Sequence, residues 1–265
     1  MDILGYILAM LTGISLGLIG SGGSILTVPI LVYVMGVNPI MATAYSLFVV
    51  GTTSLVGGTQ KALQKRADLK TVLIFGVPSI VSVYLTRAYI VPLLPDVLYR
   101  SDDFVLTKAM ALMVLFAGIM ILASVSMIKP RRKITTTASQ KLTYNYPLIL
   151  VEGALVGVLT GLVGAGGGFL IIPALVLLAK MPMKLAVGTS LLIIAAKSLL
   201  GFLGDLQGDE VMDWSLLSLF TLLSVVGIFI GNMLSKKIDG NQLKTAFGWF
   251  VLLMGVYIFI KELFL

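Results

Sequence analysis

One stretch of this chain is written twice, and that duplication limits the folds open to it more than any other feature. Residues 17–31 read Gly17-Leu18-Ile19-Gly20-Ser21-Gly22-Gly23-Ser24-Ile25-Leu26-Thr27-Val28-Pro29-Ile30-Leu31, and residues 161–175 read Gly161-Leu162-Val163-Gly164-Ala165-Gly166-Gly167-Gly168-Phe169-Leu170-Ile171-Ile172-Pro173-Ala174-Leu175. Gly17, Gly20, Gly22, Gly23, Pro29 and Leu31 recur at one spacing of 144 residues, and the same spacing relates Ser46 to Ser190, Leu47 to Leu191, Ser54 to Ser198 and Gly57 to Gly201. A chance cluster of glycines does not keep its register that far along a chain. The fold has to contain two copies of one unit.

That unit belongs in a membrane. Of the 265 residues, 58% are hydrophobic and 12% charged, and the mean hydropathy of +1.06 lies outside the range of soluble domains. Residues 214–235 carry no charge in 22 positions, enough to cross a hydrocarbon layer of about 30 Å as a helix. Barrel strands would be shorter and would alternate, and no such alternation is present. Residues 1–19 have no basic leader and run directly into the first glycine motif, so they read as a retained helix and not a cleaved signal. The chain has no cysteine and no histidine, which excludes disulfides, thiolate metal sites and thiol catalysis. No cofactor is expected, and the absence of a catalytic dyad argues against an enzyme.

The apolar segments fall at 3–20, 23–36, 39–60, 70–86 and 105–128, then at 147–164, 167–180, 184–204, 213–235 and 241–263. The sequence thus predicts an all-α polytopic membrane protein: a first transmembrane repeat over 1–128, a polar linker over 129–146, and a second repeat over 147–265. In each half the first pair of segments is short on its second arm. It is either two thin crossings or a re-entrant hairpin.

Loop charge sets the orientation. Loops 61–70, 129–141, 180–184 and 236–244 hold 14 of the 19 basic residues and fall on one side, which the positive-inside rule makes cytoplasmic. The other side receives both termini, loop 87–104, and loop 205–213 with Asp205, Asp209, Glu210 and Asp213. Loops 61–70 and 205–213 follow equivalent helices, yet one is basic and the other acidic. The two halves therefore point in opposite directions, the inverted-topology arrangement of secondary transporters. This sidedness accounts for the net charge of +7 without a nucleic-acid partner.

The glycine motifs have two readings. In the first, two half-helices meet at Gly20, Ser21, Gly22, Gly23 and Ser24, and again at Gly164, Ala165, Gly166, Gly167 and Gly168. The first-turn amides of each second arm then lack intrahelical partners and carry the positive end of a helix dipole, so they suit an anion. Irregular backbone at membrane depth persists only where it is buried or lines a wet cavity. Pro29 and Pro173 would bend the second arms by freeing the carbonyls of Ile25 and Phe169. In the second reading the glycines are a close-packing surface, as in many membrane helices. Thr43, Tyr45 and Ser46, with Thr189 and Ser190, either complete oxyanion hydrogen bonds or join helix to helix.

Lys197 lies near the middle of an otherwise apolar crossing, where a lysine costs about 2.5–3.5 kcal/mol. It is predicted to face a water-filled cavity, a carboxylate or an anionic substrate. Its counterpart in the first half is Thr53, so it breaks the symmetry of the repeat. Glu152 is an acidic residue inside a predicted span and not at either end of it, unlike Asp213 and Glu262 at the ends of theirs. It is the candidate for coupling anion movement to protons, or for a merely structural contact with Lys197.

The paired G-L-[IV]-G-x-G-G-x-[IF]-[IL]-x-[IV]-P motifs resemble those of the TauE/SafE-type anion permeases, often called sulfite exporters. Ala67-Asp68-Leu69-Lys70, Val211-Met212-Asp213-Trp214 and Gly227-Ile228-Phe229-Ile230-Gly231 are similar to that family too, and the resemblance covers nearly the whole chain. It implies movement of small sulfur-containing anions such as sulfite or organosulfonates across a bacterial inner membrane. The longer connection 87–104, with Pro92-Leu93-Leu94-Pro95, departs from the second half and is either a cover for the outer mouth or a spacer. The competing function class is a structural or assembly subunit of the membrane with no substrate of its own.

The topology is testable because no native cysteine interferes. Gln64→Cys and Gln207→Cys are expected to react oppositely with a membrane-impermeant maleimide added to intact cells, Gln207→Cys labelling and Gln64→Cys staying protected. Equal external labelling of both would remove the inversion.

Overall fold

The computed structural model describes residues 2–100, 105–128, 146–168, 171–172, 175, 181–207, 212–235 and 240–264. Among them, eight long helices dominate: α1 (Asp2–Ile19), α2 (Pro39–Leu63), α3 (Leu69–Leu85), α4 (Lys108–Ile128), α5 (Tyr146–Val163), α6 (Met183–Asp205), α7 (Trp214–Leu234) and α8 (Gly240–Phe264). A small antiparallel hairpin, β1 (Val97–Arg100) with β2 (Val105–Thr107), joins the end of the α3 run to α4. By length and composition five stretches are able to cross a membrane: Pro39–Leu63, Leu69–Leu93, Lys108–Val125, Leu185–Asp205 and Trp214–Leu234. The chain is an all-α, multi-pass membrane protein. Residues 129–145 of the linker, and most of the second arm, including Phe169 and Pro173, lie outside the described residues.

Between α1 and α2 the chain is helical but irregular. A 3-10 turn (Ser21–Leu26) passes into one short α piece (Thr27–Pro29) and then a π turn (Ile30–Val34). Pro29 explains the change of winding, because its nitrogen donates no hydrogen bond and its ring crowds the preceding turn. A methyl group placed on Gly5 would stand 2.6 Å from Met35 Cγ, so the arm ends beside the start of α1. Residues 2–35 thus form a hairpin that returns to its starting level, with Gly20 (φ 82°) at its tip.

The helices pack in pairs. Gly51 meets Leu199 and Gly58 meets Leu192, so α2 and α6, the equivalent helices of the two halves, run antiparallel. Gly13 lies against Ser224 and Gly17 against Ile228, making α1 and α7 parallel, while Gly157 against Ser79 and Gly161 against Thr86 do the same for α5 and α3. The last pair is α4 with α8, and α7 and α3 also flank α2 and α6 respectively. Exchanging the two halves converts each of these pairs into another pair or into itself. The buried apolar side chains fall into two clusters, one around Leu31, Leu47 and Phe116 and one around Val50, Phe75 and Ile194.

One sequence expectation needs correction. The sequence places the fourth segment at 70–86, but helical structure continues from α3 through a π turn (Thr86–Ile90) and Val91–Leu93. Arg87 does not end the helix because its side chain is buried against Asp205, with Nη1 donating to Oδ1 at 3.3 Å. The connection expected over 87–104 therefore begins after Leu93.

The seam between α1 and α7 depends on backbone-to-backbone approach. A methyl group on Gly13, Gly17, Gly227 or Gly231 would lie 1.9, 2.5, 2.2 or 2.2 Å from a carbonyl oxygen of the opposite helix. In lipid, where apolar burial gives helices little reason to associate, such close van der Waals packing is a main source of attraction. Gly118 of α4, by contrast, has nothing within 4 Å of that position. Gly13→Ala is expected to cost about 1–3 kcal/mol of stability through forced separation of the helices. Gly118→Ala should be neutral or stabilising by about 0.5–1 kcal/mol, both read as thermal unfolding of detergent-purified protein.

Candidate functional site

Lys197 stands in α6 with its side chain wholly buried. Its Nζ donates to Thr160 Oγ1 of α5 at 2.8 Å. The carbonyl of the same threonine accepts from Gly164 N at 2.8 Å, so Thr160 joins the lysine to the start of the second glycine turn. That turn needs glycine: Gly164, Gly166 and Gly167 have φ of 73°, 65° and 59°, a region that side chains with a Cβ rarely enter. A Cβ on Gly167 would sit 2.7 Å from Lys197 Nζ and 2.1 Å from Thr160 Oγ1. The ammonium group therefore fills the space that the missing side chain leaves.

The first motif arrives at the same place. A Cβ on Gly166 would meet Val50 Cγ1 at 2.7 Å, and Ile194 Cγ2 and Ser24 Cβ each at 3.4 Å. Val50 and Ile194 are equivalent residues of α2 and α6, 144 positions apart. Ser24, Gly166, Gly167, Lys197 and Thr160 thus form one cluster beside the crossing of α2 and α6. Around it the two halves mirror each other. Gly20 packs on Val187, whose Cγ1 would be 2.8 Å from an added methyl, and Gly164 packs on its equivalent, Thr43, at 2.4 Å from the carbonyl oxygen.

Other expected site residues have these hydrogen-bond partners. The Tyr45 hydroxyl accepts from Asp213 N at 2.6 Å, and the Thr189 hydroxyl accepts from Asp68 N at 2.9 Å. Asp213 and Asp68 are the N-caps of α7 and α3: Asp213 Oδ1 accepts from Ser215 N and Leu216 N at 3.0 Å each, and Asp68 Oδ2 accepts from Thr71 N at 3.0 Å. Tyr45 thus ties α2 to the start of α7, and Thr189 ties α6 to the start of α3. Ser190 donates to Val187 O in its own helix at 2.9 Å, and Thr43 to Ile40 O at 2.7 Å. Ser46 is buried with a hydroxyl that has no partner.

Gly23 lies close against α1. An added methyl would lie 2.5 Å from Leu16 N and 2.8 Å from Ser15 Oγ. Ser21 and Gly22 belong to the 3-10 turn, Ala165 is buried in the second turn, and Gly168 is the helical residue that follows it. Glu152 is half-buried with Oε2 lacking a partner. It lies two turns before Thr160 on α5, about 12 Å along the axis. Arg87 forms an ion pair with Asp205, and Lys197 has Thr160 as its hydrogen-bond partner.

Sequence reasoning missed Thr160. Its counterpart is Leu16, so the duplication gives no hint of it, and a lone threonine in an apolar helix is an ordinary sight. Chemically, the cluster is a desolvated cation flanked by bare backbone, with a neutral hydroxyl as its hydrogen-bonded neighbour. It suits an anion. Among the described residues no group of carboxylates gathers to hold a metal ion.

The lysine–threonine bond has a measurable consequence. Thr160→Val keeps the shape and removes the acceptor from a buried ammonium group, at an expected cost of about 1–3 kcal/mol. In a Lys197→Met background the same change should cost less than about 0.5 kcal/mol, as measured by thermal unfolding of the four proteins. Equal costs in both backgrounds would mean that the bond carries nothing.

Comparison with known proteins gives a consistent result. The chain is similar to a probable membrane transporter protein of Xylella fastidiosa (strain 9a5c), 28% identical over 254 residues that cover 94% of this chain and 91% of that protein. It is 30% identical to the probable membrane transporter protein YunE of Bacillus subtilis (strain 168), over 90% of this chain and 89% of the relative. The probable membrane transporter protein YjnA of the same organism is 26% identical over 94% and 96% of the two chains. No solved structure matches. The family model described as sulfite exporter TauE/SafE matches residues 6–258, and the chain belongs to that family of membrane transporters.

Proposed function

We propose that this protein is a secondary carrier for small sulfur-containing anions such as sulfite or organosulfonates, and that Lys197 with the glycine turns forms its central site. The observation that carries the reading is the placement of the Lys197 ammonium group against the bare backbone of Gly167. A full positive charge at that depth is costly, by about 2.5–3.5 kcal/mol on insertion scales. A bound anion offsets that cost, and the glycines let its oxygens approach the backbone. The family description supports sulfite as the type of cargo.

In this reading the chain consists of two inverted repeats, 1–128 and 147–265, joined by a cytoplasmic linker over 129–146. The antiparallel run of α2 and α6 supports the inversion, as does the mirrored packing of Gly20 on Val187 and Gly164 on Thr43. Both termini then face the periplasm of a bacterial inner membrane. The inside-negative potential assists outward movement of an anion by roughly 2.3 kcal/mol per charge per 100 mV, which favours export. Glu152, away from the cluster but half-buried with an unpartnered oxygen, is retained as the candidate for proton coupling.

Lys197→Met in purified protein is expected to weaken sulfite binding by about 10- to 100-fold, the worth of a lost charge-assisted hydrogen bond at 1.5–3 kcal/mol. Its unfolding temperature should be no lower than that of the parent, because a buried charge has been removed. Lys197→Arg should keep part of the affinity. Sulfite flux in proteoliposomes should follow the same order. Unchanged affinity and flux in a well-folded Lys197→Met protein would overturn the assignment.

A further inference from the structure

The second fully buried cation of the described chain is Arg87, and the site at Lys197 does not use it. It lies on the π turn that continues α3, a type of helix irregularity found disproportionately at functional positions. Its neighbours are the ends of the two helices that build the lysine site. On one side is Gly204 of α6, where a methyl group would stand 2.9 Å from Arg87 Cβ and 3.1 Å from Ala88 N. On the other, Gly161 of α5 sits so close to Thr86 that a methyl group would be 2.6 Å from its Cβ. Asp205, which accepts from Arg87 Nη1, follows Lys197 by eight residues on α6, about 12 Å along the axis.

The pair is badly made for a clamp. One bond of 3.3 Å joins the two groups, and Arg87 Nε and Nη2 and Asp205 Oδ2, all buried, have no partner. A structural arginine–carboxylate pair at this depth gains its stability from two parallel bonds. Near the other end of the molecule a neutral bond joins two helices. Asn232, 145 residues after Arg87, donates from Nδ2 to Gln60 Oε1 at 2.6 Å and ties α7 to α2 with a neutral bond. What the arginine keeps unused is one complete edge of its guanidinium. Nε–H and Nη2–H point the same way, the fork that takes two oxygens borne on one central atom.

We infer that Arg87 is a second anion station, which binds a small oxyanion through its Nε–Nη2 edge while Asp205 holds Nη1. Its ligand class is an anion with at least two oxygens on one atom: sulfite, a sulfonate or a carboxylate, and not a halide. The Asp205 carboxylate acts as a tethered rival that keeps the arginine's charge balanced between visits. The station stands at the periplasmic end of α6, a placement that rests on the topology proposed above. Its existence does not depend on the role given to Lys197.

The test is sulfite and methanesulfonate binding to the purified full-length protein, by calorimetry and thermal shift, with chloride as the control anion. The parent should show two classes of site for sulfite. Lys197→Met should leave one, and the neutral pair Arg87→Gln/Asp205→Asn, which copies the Asn232–Gln60 arrangement and so protects the fold, should leave the other. Asp205→Asn alone should tighten the arginine class several-fold. Arg87→Lys, which keeps the charge but has no fork, should weaken it about tenfold. Two unaltered classes in the Arg87→Gln/Asp205→Asn protein, or no residual binding in a well-folded Lys197→Met protein, would overturn the proposal. Two unaltered classes in Lys197→Met would instead sink the lysine reading and leave this one standing.

Discussion

The antiparallel crossing of α2 and α6 is the constraint on which the rest of the structure depends. These helices occupy the same place in the two halves, and they approach closely because Gly51 and Gly58 present only hydrogen where Leu199 and Leu192 arrive. The Lys197 cluster is arranged against that crossing. Val50 and Ile194 bring the second glycine turn to it, Ser24 brings the first, and Lys197 reaches across to Thr160. The flanking pairs, α1 with α7 and α3 with α5, then hold the two hairpin helices at fixed height through seams of small residues. Helices cannot be driven together in lipid by the exclusion of water, so such seams are where association energy is found.

The duplication made much of this legible before any coordinates. A repeat of 144 residues predicts that contacts come in equivalent couples, and they do: Gly20 on Val187 with Gly164 on Thr43, and Gly57 near Leu191 with Gly201 near Leu47. A helical membrane fold and its segment order followed from hydropathy alone. The position of Lys197 announced itself by its cost. What the sequence concealed were partnerships between residues of unlike type. Tyr45 and Thr189 share the task of accepting from a helix-capping aspartate, although a phenol and a small aliphatic hydroxyl share no letter. Their partners Asp68 and Asp213 are offset by 145, not 144, because the second half carries one more residue before its cap. Arg87 was hidden for a simpler reason. A hydropathy reading treats a charge as the end of a span, whereas a buried counter-charge lets the helix continue.

The glycines divide according to what stands opposite them. Gly13, Gly17, Gly227 and Gly231 face carbonyl oxygens of another helix, and Gly23 faces the backbone of its own hairpin partner. These are packing positions, whatever their place in a motif. Gly166 and Gly167 differ in two respects: their backbone is left-handed, and what they face is the Val50 side chain, the Thr160 hydroxyl and the Lys197 ammonium group. A single motif therefore mixes two employments. The letters cannot separate them, since both require the absence of a side chain.

A perfectly symmetric carrier would present the same surface to both sides of the membrane, and here the polar substitutions fall unequally on a symmetric frame. Lys197 replaces Thr53, whose hydroxyl is buried without a partner, and Thr160 replaces Leu16. Both changes sit in the second half, so the cation and its acceptor face one of the two glycine turns more closely than the other. At the helix ends the same inequality returns. A neutral amide pair joins α7 to α2, whereas a charged and incompletely bonded pair joins α3 to α6. Separating the amides exposes two neutral groups that water solvates readily. Separating Arg87 from Asp205 releases two charges whose full hydration is available only in an open, wet state. The two ends therefore differ in what it costs to part them in water, and in winding too, since Arg87 lies on a π turn and Asn232 on a regular α-helix. The duplicated sequence thus carries unlike polar groups at its two ends, one neutral pair and one charged pair.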